Sequence, residues 1–393
     1  MSYFLFRFLI FFIIFEIFLV LLIKLLKFKN IPWIITNKDE YPIFNKQKIK
    51  MFLKKTYDKE LGWNWKPKKS HKEKIFSKQN TIRFGKYGER KNFKYKNKNL
   101  QFNYASFGDS FVFCRYSNNK DTWQSQLGIV GAYNGLNLGV GNYGLDQIYL
   151  KYKKTIIPKN IKTIYIGFVP ETLSRCLCSW KHYHEFNNLY AFKPKFIRYK
   201  KELKLLSNPI ENLESFDNIT KIIRNIKNLE FFYKRKFLKY KLTFPYFFSV
   251  FNNPKYNFKL FFYSFLKILN LDKNRIHDFI IRENCIKNDV YFNFKKNNEI
   301  ISKLMNLIKR ESKKKKQKVV FLVFPQKYDL EIKNKNYQKF FIKLKKKFSI
   351  IDFTDIFMND EIEKIYLTGE YGGHLTKYGN KIVAKTILEK GYN

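Results

Sequence analysis

The chain has 393 residues, enough to bury a sizeable core either as two modest domains or as one large α/β domain with an insertion. Hydrophobic residues at 45% and aromatics at 19% exclude general disorder. A net charge of +45, from 77 Lys and Arg against 32 Asp and Glu, points on its face to nucleic acid or an anionic membrane surface. Lys, Asn, Ile, Phe and Tyr are abundant together, however, while Arg is scarce and Ala rare, which is the mix that A/T-rich codons produce. Groove readers lean on Arg for bidentate contacts, so nucleic acid is not the expected partner. Four cysteines, Cys114, Cys176, Cys178 and Cys285, are too few for a disulfide-stapled scaffold and lack zinc-finger spacing.

The first element in the chain is apolar. Phe8 to Ile23 is interrupted only by Glu16, extends to Leu26, and is flanked by Arg7 and by Lys24, Lys27 and Lys29. One central charge costs about 2.5–3.5 kcal/mol on the insertion scale, and each Leu, Ile, Phe or Val returns roughly 0.3–0.6, so the apolar residues win. No small-residue cleavage site follows, which predicts an uncleaved anchor over 1–27. Glu16 reads either as a partner for another helix or as a tolerated single charge.

Residues 28–98 are polar, with Lys runs and isolated aromatics such as Trp63 and Trp65, and are expected to be a loosely folded lead-in. From Asn99 the texture changes. Leu100 to Phe107 alternates like a strand and stops at Gly108-Asp109-Ser110. Asp121 to Leu127 reads as a capped helix start, Gly135 to Gly144 as a glycine-rich stretch with a strand-like core at Leu136 to Val140, Asp146 to Tyr152 as a helix and Thr163 to Val169 as a buried strand. Late in the chain, Lys318 to Pro325 is a buried strand, Tyr337 to Lys347 a helix, Ser349 to Asp352 a strand and Lys377 to Glu389 the terminal helix. Strands and helices alternating in this way predict an α/β domain over 99–393, with a parallel sheet covered on both faces. About 181–300 is Lys, Phe, Tyr and Asn-rich and is expected to be a helical insertion.

Chemistry concentrates in three glycine-rich turns. A serine where a buried strand becomes a helix, as in Phe107-Gly108-Asp109-Ser110-Phe111, has its own N–H aimed at a developing oxyanion. The competing reading is that Asp109 and Ser110 merely cap a helix. Asn137 to Gln147 holds a second glycine turn, able to bring another N–H to the same strand-end crevice. Tyr371-Gly372-Gly373-His374-Leu375-Thr376 places a histidine on a loop, free to act as general base. His182, His184 and Glu185 hint at a metal, but without a further ligand cluster they read as partly exposed histidines beside the insertion. Cys114 reads as a small core residue.

Phe-Gly-Asp-Ser-Phe, then Asp121-Thr122-Trp123, then Gly139-Val140 and Tyr143-Gly144-Leu145-Asp146-Gln147, then the late Gly-His-Leu-Thr, together resemble the SGNH (GDSL-type) hydrolases. Asp58-x-x-Leu61-Gly62-Trp63 and Tyr87-Gly88-Glu89-Arg90 resemble the lead-in of membrane-anchored bacterial members. The resemblance covers about 58–175 and 318–390 in the correct order. It implies a three-layer α/β/α fold and an esterase or acyltransferase acting on acyl, especially acetyl, esters of a glycan, set in the bacterial inner membrane. Ser110 would be nucleophile and first oxyanion donor, His374 the base, and the second donor falls on Asn142 after Gly141. Neither cofactor nor metal is implied.

Two departures stand out. The family's carboxylate, three residues before the histidine, is replaced by Tyr371, leaving Glu370, a remote Asp352 or a backbone carbonyl to orient His374. The family's asparagine block after the next strand is replaced by Phe168-Val169-Pro170-Glu171-Thr172. The second reading is therefore a non-catalytic protein of this fold that binds glycan or scaffolds an envelope assembly.

Overall fold

The computed structural model describes residues 2–75, 78–92 and 101–390. Five strands form one parallel sheet: β1 (Tyr104–Gly108), β2 (Gly135–Asn137), β3 (Thr163–Phe168), β4 (Lys318–Val323) and β5 (Ile350–Asp352), in the spatial order β5-β4-β3-β1-β2. The strand alternation is read directly into two layers of core. Ala105, Phe107, Ile164, Ile166, Phe321 and Val323 face one side. There they meet α4 (Leu145–Lys154), α9 (Lys295–Lys314) and α10 (Asn336–Lys345) through residues such as Ile148, Leu304 and Phe341. Tyr104, Tyr165, Val320 and Leu322 face the other side, against α3 (Trp123–Gly131) and α11 (Lys377–Glu389) through Trp123, Leu127, Val383 and Ile387. Helices on both faces of a parallel sheet give the three-layer α/β/α architecture expected from the sequence.

Boundaries shift by a few residues. The first strand begins at Tyr104; of the segment expected to form it, residue 100 lies outside the described residues, as does the expected domain boundary at 98. Thr122 caps α3 by accepting the Ser125 N–H. Within about 181–300 the chain forms helices, the last before α9 being α8 (Arg275–Tyr291), together with an antiparallel hairpin of Lys195–Tyr199 and Glu202–Leu206; α9 is the crossover helix whose Ile301, Leu304 and Ile308 pack on the sheet.

The lead-in is a correction. It is built into the core: Leu61 is fully buried, Gln147 donates to its carbonyl at 2.7 Å, and Trp63 donates through Nε1 to the Gly141 carbonyl at 3.0 Å. Arg90, also fully buried, donates to the carbonyls of Phe113, Cys114 and Ser117 at 2.9, 2.8 and 2.6 Å. The Lys-rich composition hid these few anchoring residues.

The N-terminal apolar helix α1 spans Ser2–Phe28, and its 26-residue stretch from Tyr3 has a mean hydropathy of 3.0 over its most apolar window.

Candidate active site

After β1 and β2 the chain returns to place β3 on the opposite side of β1, so the strand order reverses between β1 and β3. A crevice opens at the carboxyl ends of strands at such a point. The turn from β1 into the single-turn helix α2 (Ser110–Phe113) lies there. Gly108 pairs with Gly167 of β3, and a Cβ on Gly108 would meet the Gly167 carbonyl at 2.2 Å, so only glycine lets the strands close beneath the turn.

Asp109 is fully buried and organises the turn. Its carboxylate accepts the N–H groups of Phe111 and Val169, both at 2.9 Å, and pairs with Arg175 at 3.2 Å. Burial alone would weaken the Arg175 charge, but Glu171, Asp109 and Glu185 around it raise its pKa and keep it protonated. Asp109 therefore caps α2, as the competing sequence reading held, and ties β1 to β3 as well. Ser110 is left free for another partner.

That partner is His374. Its Nε2 stands 2.9 Å from Ser110 Oγ, and its Nδ1 stands 2.6 Å from the Tyr371 carbonyl oxygen. A carbonyl only accepts, so Nδ1 carries the proton and Nε2 accepts from the serine hydroxyl. The imidazole lies near the rings of Phe111 and Tyr116, each with its centroid at 5.4 Å. Burial and the nearby Arg115 hold its pKa below the usual imidazole range, with Arg175 adding to the effect, against the opposing pull of the Tyr371 carbonyl. A neutral imidazole beside a serine hydroxyl can take up that proton. The loop turns sharply enough through Gly369, Gly372 and Gly373, all at φ of 64–65°.

Glu370 is a correction to the sequence expectation for the orienting group. It is exposed and makes no hydrogen bond to His374 among the described residues; its charge acts on Lys267 and His277 instead. Asp352, on the edge strand β5, accepts from the Thr354 N–H and hydroxyl at 3.0 and 2.6 Å. The backbone carbonyl holds the ring.

Asn142 adopts φ 65°, a left-handed conformation asparagine tolerates better than most residues, and lines the same cavity as Ser110 and His374. Gly141 before it is fixed through its carbonyl by Trp63, whose own carbonyl accepts the Tyr143 hydroxyl. The lead-in thus holds both glycine turns: Trp63 the Asn142 loop and Arg90 the end of α2. Cys114 at that end is buried, and its thiol is pushed up to about 12 by burial, against the Arg90 charge.

The cavity has a volume of about 660 Å³. Where the sequence lacks an asparagine after β3, Glu171 and Arg175 of the following turn and α5 (Thr172–Cys176) line the wall. His182 and His184 are buried rather than partly exposed, a second correction. His182 donates from Nε2 to the Asp39 carbonyl at 2.8 Å and accepts the Asn187 N–H at Nδ1. Glu171, His184 and Glu185 do gather, with ligand-type atoms within 4.8 Å of one another. Their carboxylates are already engaged, Glu171 by Arg175 and Glu185 by Lys181, each at 2.8 Å, so the cluster is an internally compensated ion-pair network rather than a vacant cation cage. Sequence reasoning missed Arg175, and named Arg90 only within the Tyr87-Gly88-Glu89-Arg90 motif without assigning it a role. For Arg175 the available signal was that arginine is scarce in a chain whose positive charge is mostly lysine.

No protein-family model and no curated protein matches the chain. Among solved structures it is similar to one provisionally described as a lipolytic protein of the G-D-S-L family from Desulfitobacterium hafniense DCB-2. That likeness has 9% identity and a TM-score of 0.34, over 72% of this chain and 97% of that one. The fold itself is α/β, a five-stranded parallel sheet flanked by helices, with an N-terminal apolar helix.

Proposed function

We propose that the protein is a serine esterase or acyltransferase with Ser110 as nucleophile and His374 as general base. The observation that carries this reading is the 2.9 Å contact of His374 Nε2 with Ser110 Oγ, with Nδ1 held by the Tyr371 carbonyl. His374 takes the hydroxyl proton as Oγ attacks the ester carbonyl, and returns it to the departing alcohol. The N–H groups of Ser110 and Asn142 are the oxyanion donors. Water or a second hydroxyl then enters with the same base and releases the acyl group. The cavity wall carries Asn142, Asn187, Asn188 and Asn284 with Arg115 and Lys236, which suits a hydroxylated substrate such as an acylated glycan better than a plain lipid ester. The helix α1 serves as membrane anchor.

A missing oxyanion donor costs about 10²–10³ in rate, which favours a slow enzyme and keeps the non-catalytic glycan-binding reading in view. Incubating the full chain with a serine-reactive phosphonate tests the two. An adduct on Ser110 that is lost in His374→Ala supports the enzyme; an unmodified, correctly folded chain rejects it.

A further inference from the structure

Glu16 is turned into the protein. It is buried, and its carboxylate accepts the N–H groups of Tyr246 at 2.6 Å and Phe247 at 2.8 Å, the first two of helix α6 (Tyr246–Phe251). These are donors that no helix can satisfy from within. Aromatic contacts continue the junction, Phe12 with Phe247 and Phe248 and Phe15 with Phe251. From Glu16 to the end of α1 at Phe28 is about 18 Å of helix at 1.5 Å per residue. If α1 crosses a bilayer with its Lys24–Lys29 end at the surface, α6 is held well below that surface.

The backbone around α6 is treated as it must be where water is absent. The Thr243 N–H donates to Ser249 Oγ at 3.1 Å, and that hydroxyl also reaches the carbonyls of Thr243 and Tyr246. Asn257 Nδ2 donates to the Val250 carbonyl at 2.9 Å. Non-helical backbone survives at membrane depth only when its polar groups are satisfied inside the protein. The outer surface is the reverse: Phe244, Phe248 and Phe251, then Phe258 and Phe262 of α7 (Pro254–Ile268), are all exposed, with Phe248 and Phe262 at 60% each. Lys255 and Lys259 on α7 are exposed beside them, the companions such a face has where it meets anionic headgroups.

The geometry points to residues 243–268 of the insertion as a second membrane element, an arm that enters the lipid bilayer alongside α1 and is capped there by Glu16. This rests on α1 spanning the bilayer. The occupant of the exposed phenylalanine face is lipid. The arm also carries Tyr256, on the wall of the Ser110 cavity, so it fixes how that cavity sits relative to the membrane surface.

The test uses the purified full chain in permeabilised vesicles of phosphatidylethanolamine and phosphatidylglycerol. The four native cysteines are buried, so a single introduced thiol reports alone. Phe248→Cys and Phe262→Cys, both at exposed positions where folding is little disturbed, are reacted with a water-soluble maleimide. Ile13→Cys in α1 and Ile156→Cys, 85% exposed on the sheet domain, are the references. We expect Phe248→Cys to react at least about tenfold more slowly than Ile156→Cys, and to be quenched by acyl-chain nitroxides rather than aqueous iodide once it carries a fluorophore. Protected Ile13→Cys with freely reacting Phe248→Cys overturns the arm and leaves the anchor standing. Freely reacting Ile13→Cys overturns the anchor and the arm with it. Protection of Phe248→Cys that fades as the chain is diluted with lipid identifies a second copy as the occupant and also overturns the arm.

Discussion

The two halves of the Ser110–His374 pair are held in opposite ways. Ser110 sits on a turn clamped by distant residues: Asp109 reaches β3 and Arg175, and Arg90 grips the end of α2 from the lead-in. His374 sits on a short loop whose three glycines at positive φ let it fold back on itself, and its orienting contact comes from Tyr371, three residues away. Ser110 is placed by the tertiary structure, His374 largely by its own loop. One side therefore depends on stability elsewhere in the molecule, and the other on local backbone.

The sharpest break is at the meeting point. Ser110→Ala and His374→Ala are each expected to lower ester turnover by about 10⁶, with nearly the same loss in the double variant because the pair acts as a unit. Steady-state rates of the three variants check this. Next comes the clamp. Arg175→Met leaves Asp109 and Glu171 buried without their cation and is expected to cost about 3–5 kcal/mol in urea unfolding, since breaking a buried pair strands a charge.

Acid probes the same buried framework. Burial holds His182 down to about 4, against the Asp39 carbonyl, and keeps His184 well below its ordinary value, with Lys236 adding to the effect. Both are neutral in the fold but protonate in the unfolded chain below about pH 6.5. Stability from them is present above that pH and is lost as pH falls toward 4, by about 2 kcal/mol for His182 at pH 5, with His184 acting in the same direction. Urea midpoints at pH 7 and 5 measure it, and His182→Gln should flatten the difference.

Trp63→Phe removes the donor to the Gly141 carbonyl and is expected to cost about 1 kcal/mol of stability, with turnover falling more than substrate binding. The smallest effect belongs to Glu370→Gln. With His374 oriented by a carbonyl, turnover should stay within about twofold; a loss near 10⁴, as seen when a triad carboxylate is removed, would show the loop rearranging in the working enzyme.

Much of this was legible beforehand. Short apolar runs at Thr163 to Val169 and at Lys318 to Pro325 placed buried strands, and their alternation with helices placed a layer on each face of the sheet, because both are local patterns. The turn at Ser110 and the loop at His374 were visible for the same reason, as glycine at fixed offsets from a polar side chain. Glu370 was misjudged as a possible orienting group because nearness in sequence does not say which side of a tight turn a side chain leaves from.

The sequence by itself determined the sheet, the apolar helix and the two side chains of the candidate site, all features written in short-range patterns. Tertiary structure alone decided that a carbonyl holds His374, that Arg90 and Arg175 fasten the serine turn, and that Glu16 caps α6 inside the chain. Arg90, Arg175 and Glu16 are polar groups whose burial is tolerable only because a partner from another part of the chain meets each of them. No local pattern announces such a partner, since the cost that selects it arises only when folding removes water from both groups.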